Sequence, residues 1–92
     1  MQYVLLGKFS SQFAAKQQQR GRAVRAKARA LGIRFVGVYF TQGEYDVVAI
    51  AETEDVGSIL AYSLWYAQKG FGRLTTLPAF DEAAILAASR KV

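Results

Sequence analysis

Cysteine and histidine are both absent from this 92-residue chain. Without cysteine there is no disulfide, no thiolate zinc site, no iron–sulfur cluster and no thiol nucleophile. Without histidine there is no Ser-His-Asp triad, no imidazole acid–base step and no imidazole ligand for a metal or a haem. Proline occurs once, and no Ser- or Pro-rich stretch marks a linker or a disordered tail. No apolar run approaches the roughly 18 residues of a membrane span, so no membrane partner is expected. Lys8 follows the opening apolar run instead of preceding it, so no secretory leader is expected. Together with the missing cysteine this points to a cytoplasmic setting.

What is present is the composition of an ordinary globular domain, 52% hydrophobic and 21% charged, and the length suits one domain over residues 1–92. The charge is segregated. Residues 1–42 hold eight cations and no acid, whereas residues 43–92 hold four cations and all seven acids. Lys16, Arg20, Arg22, Arg25, Lys27, Arg29 and Arg34 crowd one segment, which is the footprint of a nucleic-acid binder. A solvated helix face, or a basic surface that meets the acidic half of a neighbouring subunit, accounts for the same pattern and is preferred. Glu52, Glu54 and Asp55 read as a strand end and a helix start, not as a metal cage. The glycines form no phosphate-binding fingerprint. No metal and no cofactor is expected.

The hydropathy pattern predicts a strand over Tyr3–Phe9 and a helix from caps at Ser10 and Ser11 to Leu31, stopped by Gly32. Its core stripe is Phe13, Gln17, Val24, Ala28 and Leu31, with a kink expected near Gln19–Arg22 around Gly21. A second strand over Ile33–Thr41 and a third over Tyr45–Glu52 are joined by a turn at Gln42-Gly43-Glu44. Thr53 then caps a helix that runs to about Lys69 with a core stripe of Val56, Leu60, Ser63, Leu64 and Ala67. Strand four is Phe71–Leu77, and Asp81 caps an Ala-rich tail helix ending near Arg90. The order is βαββαβ plus a terminal helix. The fold class is therefore α+β, ferredoxin-like, with an antiparallel sheet ordered 4-1-3-2 and both main helices on one face.

One sheet face is left without a helix. Lys8 belongs outside, so its parity mates Val4 and Leu6 face outward too. Asp46 carries Val48 and Ile50 to the same side. An apolar centre of Val4, Leu6, Val48 and Ile50 requires a cover, from a second subunit, the tail helix or a ligand. Lys8 and Asp46 are expected as a pair at one end of that face, either fixing the hairpin or closing a small-molecule cavity lined by Phe40 and Tyr45. A bulge in strand two would exchange which of Tyr39 and Phe40 faces where. On the second helix, Tyr62 and Trp65 are expected opposite the core stripe with Tyr66 on its shoulder. They form an aromatic surface for a further subunit contact.

The segment Thr41-Gln42-Gly43-Glu44-Tyr45-Asp46-Val47-Val48 resembles the signature of the GYD-domain family, and Leu6-Gly7-Lys8-Phe9 resembles its first strand. The resemblance extends to the Gly32 break and the Thr75–Phe80 ending. It implies a small ferredoxin-like unit similar to dimeric α/β barrel proteins, and it implies no reaction. The same hairpin resembles the ligand-sensing domain of leucine-responsive-type regulators, which bind small molecules between subunits. The expectation is thus a homo-oligomer, at least a dimer, with a small apolar or aromatic ligand. A cofactor-independent enzyme of the dimeric barrel type and a basic nucleic-acid-binding module are the alternatives.

Overall fold

In the first nine residues Tyr3, Leu5 and Gly7 alternate with Val4, Leu6 and Lys8, and period-2 alternation gives a strand two distinct faces. In a computed structural model of the chain, which describes residues 1–12 and 15–92, this segment is β1 (Gln2–Phe9). It is followed by α1 (Gln17–Ala30), β2 (Arg34–Phe40), β3 (Val47–Glu52), α2 (Val56–Gln68), β4 (Gly72–Ala79) and α3 (Glu82–Ser89). The strands form one antiparallel sheet ordered β2-β3-β1-β4, the expected order counted from the opposite edge. The class is α+β, and the βαββαβ element order is consistent with a ferredoxin-like arrangement.

One sheet face carries the core. Tyr3 and Leu5 of β1 and Ala49 and Ala51 of β3 pack with Ala28 of α1 and Ile59, Tyr62 and Tyr66 of α2. The alanines on β3 bring the helices close to the sheet, and the tyrosines fill the space so made. The opposite face holds Val4, Leu6, Val48 and Ile50, paired in register as Val4↔Ile50 and Leu6↔Val48. That parity is the expected one. The tail helix α3 buries none of its residues.

Three expectations are corrected. First, α1 begins at Gln17, not near Ser10. It has no side-chain cap and runs unbroken through Gly21. Gln17 and Arg25, one turn to either side, fold their side chains across that glycine, each with an atom 3.1 Å from where a Cβ would stand. Gln17 is exposed, not core, and Phe13 lies outside the described residues. Second, the cap of α2 is Asp55, whose Oδ1 accepts the Gly57 N–H at 2.8 Å. Thr53 is buried just before it, and its Oγ1 accepts the Asp55 N–H. Third, α2 is turned the other way. Tyr62 and Tyr66 are each 3% exposed and Trp65 is half-buried, whereas Val56, Leu60 and Leu64 are 63%, 60% and 65% exposed. The helix sequence carries no charged residue, so no polar side fixed its rotation. The larger aromatic rings took the core because they remove more apolar area from water.

Candidate functional site

The turn between β2 and β3 is built around Asp46. Its Oδ2 accepts the Phe9 N–H at 2.7 Å, and its own N–H donates to the Gly7 carbonyl at 2.8 Å. The Asp46 carbonyl accepts the Thr41 N–H, and Thr41 Oγ1 donates to the Tyr45 carbonyl at 2.6 Å. One carboxylate thus ties the end of β1 to the start of β3 and closes the turn. Lys8 does not join it in an ion pair. Its Nζ sits 5.7 Å from the centre of the Tyr45 ring, and the ion pair found among the described residues is Arg34–Glu52 at 2.9 Å. The aspartate of the Gly-x-Tyr-Asp signature therefore acts here as a backbone cap.

The enclosed space lies on the other side of the sheet. A cavity of about 300 Å³ opens between α1 and the β2–β3 edge. Its apolar wall comes from Val24 of α1, Val38 and Phe40 of β2, Val47 of β3 and Leu74 of β4. The strand contribution depends on a bulge between Phe35 and Gly37, where the register with β3 slips. Beyond it Val38 pairs with Ala49 and Phe40 with Val47, so both join the helix side while Tyr39 goes to the open face. Exposed Gln17, Arg25, Val38 and Phe40 form the rim.

The floor is polar. Arg20 is 3% exposed although α1 is otherwise studded with solvated cations. Its guanidinium carbon lies 3.5 Å from the centre of the Phe9 ring, and Nη2 donates to Gln17 Oε1. Burial pulls the Arg20 pKa below its ordinary value, while Tyr66 and Asp46 act electrostatically to raise it. Tyr62 and Tyr66 complete the floor. Burial pushes both phenols up; for Tyr66 the Arg20 charge opposes the shift and the Asp46 charge adds to it. The rings are held in place by their neighbours: Tyr62 against Phe35 at 6.0 Å, and Tyr66 against Phe71 at 5.5 Å, both edge-on.

Of the four residues expected to bind a ligand, Phe40 lines this cavity and Lys8, Tyr45 and Asp46 do not. Lys8 borders a shallow depression with Arg73 and Gly72. Val4, Leu6, Val48 and Ile50 share the open face as expected, but Tyr62 and Tyr66 belong to the floor of the cavity and present no outer surface. Trp65 packs on Phe71, with the Lys27 Nζ 5.9 Å from its ring centre. Sequence reasoning passed over Arg20 because it lay in a run of cations. The available signal was its place on the helix: Arg20, Val24 and Ala28 fall on one stripe.

The family model for the GYD domain matches residues 3–88 of the chain. No curated protein matches it.

Proposed function

The chain belongs to the GYD-domain family, and from that premise we propose that it is a small-molecule-binding domain that assembles with itself. The observation that carries this reading is the cavity under α1, apolar on its walls with a few polar groups at its floor and rim, as ligand sites generally are. The ligand seat moves from the open sheet face to the helix side, because the open face is a surface of paired strands and the cavity is a hollow. The open face takes the role of the assembly surface. Its Val4, Leu6, Val48 and Ile50 are covered by no element of the core repeat, and a second copy of the same face is a matching apolar partner.

Titration with a neutral aromatic probe, 3-phenylpropanol, followed by NMR, tests the ligand part. Saturable shifts at Val24, Val38, Val47 and Leu74 are the expected outcome. Shifts confined to the open face, or none at all, would refute it. Light scattering tests the assembly part. The chain should exceed the mass of one copy, and a Leu6→Lys, Ile50→Lys double variant should fall to it.

A further inference from the structure

The polar floor is more than a ligand-binding cavity of apolar character requires. Tyr62 and Tyr66 are more than nine-tenths buried, and both line the cavity. A phenol hydroxyl that borders a cavity is placed to donate to a group that arrives from outside. Beside them stands Arg20, whose guanidinium interacts electrostatically with Tyr66. The Phe9 ring under it and the Gln17 amide beside it fix the plane of that fork. Arg25 adds a second cation at the rim, on a chain whose formal net charge is +5.

We propose that the ligand of this cavity is a small monocarboxylate with an apolar or single-ring aromatic body. Its carboxylate sits on the Arg20 guanidinium and the Tyr62 and Tyr66 hydroxyls. This rests on the ligand-binding reading above and names the class of molecule. A guanidinium fork matches two carboxylate oxygens. Neutral phenols are donors to such an oxygen, and burial keeps both phenols neutral. One guanidinium on the floor seats one carboxylate. A volume of about 300 Å³ lies at the small end of ligand sites, which suits one ring and not a fused system.

The test compares 3-phenylpropionate with 3-phenylpropionamide on the full chain, both followed by NMR. The acid should bind at least about tenfold more tightly than the amide, with shifts at the same cavity residues. Arg20→Gln should bring the acid down to the affinity of the amide. Tyr66→Phe keeps the ring against Phe71 and removes only the hydroxyl, so it should weaken the acid several-fold and the amide less. If Arg20→Gln does not fold, Tyr66→Phe decides. Equal binding of acid and amide in the cavity would overturn the carboxylate assignment and leave the ligand-binding reading intact. Acid shifts confined to exposed Arg22 and Arg29 would overturn it as well. Failure of both probes to reach the cavity would overturn both readings.

Discussion

Asp46 and Tyr62 show how single side chains set the limits of this fold. Asp46 supplies a charged acceptor to a backbone N–H that no strand partner takes, so Asp46→Ala should cost about 1–3 kcal/mol in urea denaturation. Asp46→Asn, which keeps an acceptor oxygen, should cost less. Equal losses from the two would sink the capping role. Tyr62 answers to alkali. Its phenol in the folded chain ionises well above the ordinary value of 10.0, because burial disfavours the charged form. From about pH 10 upward the unfolded chain therefore releases protons that the folded chain retains. Stability is fully present below that pH and falls as pH rises through it. Tyr62→Phe should flatten that alkaline decline, measured as unfolding midpoints between pH 9 and 11. Glu52 has the opposite sign. Its hydrogen bond from Gln2, then that from Arg34, hold it below the usual carboxylate range, so its contribution is present above pH 4.5 and fades in acid.

At the scale of elements, α2 separates what the sequence could say from what it could not. The existence of the helix and its end near Lys69 were legible, as were all four strands, from alternation and turn residues, whereas its cap was set at Thr53 and lies at Asp55. Its rotation was not. Two apolar stripes, Ile59–Tyr62–Tyr66 and Val56–Leu60–Leu64, satisfy the same period, and only packing against the alanine-lined sheet chooses the first. Ile59→Ala should therefore cost about 2–4 kcal/mol, whereas Leu60→Ser should change chain stability by no more than about 0.5 kcal/mol. Reversed magnitudes would restore the other rotation. The cavity was half-legible for a related reason. Phe40 could be named as a lining residue, but of a hollow expected on the open face with Lys8, Tyr45 and Asp46, and the strand bulge was foreseeable as an exchange of faces. Arg20 was hidden because a buried arginine and a solvated one are the same letter. The late start of α1 was hidden too, since two serines offered caps that the chain does not use.

The whole molecule is less round than its length implies. Its radius of gyration is 14.3 Å, against roughly 12 Å for a chain of this size. The helix α3 contributes to this, for it buries nothing, and Ile85, Leu86 and the preceding Phe80 are exposed. An eight-residue helix gains little stability in water by itself. Ile85→Ser with Leu86→Ser should therefore leave the urea midpoint of the chain within about 0.5 kcal/mol of the parent. A larger loss would place α3 in a contact between copies.

The outer strands β2 and β4 bear on how such a sheet can grow. An unpaired strand edge invites the next chain to add on, and repeated addition ends in fibres. On β2 the slip at Phe35–Gly37 breaks the even spacing of donors and acceptors, and on β4 Pro78 supplies no N–H at all. Both borders are thus poor templates, which leaves the face between them for the self-assembly proposed above. A chain that adheres by its face and not by its rim uses that face once. The association then closes instead of propagating.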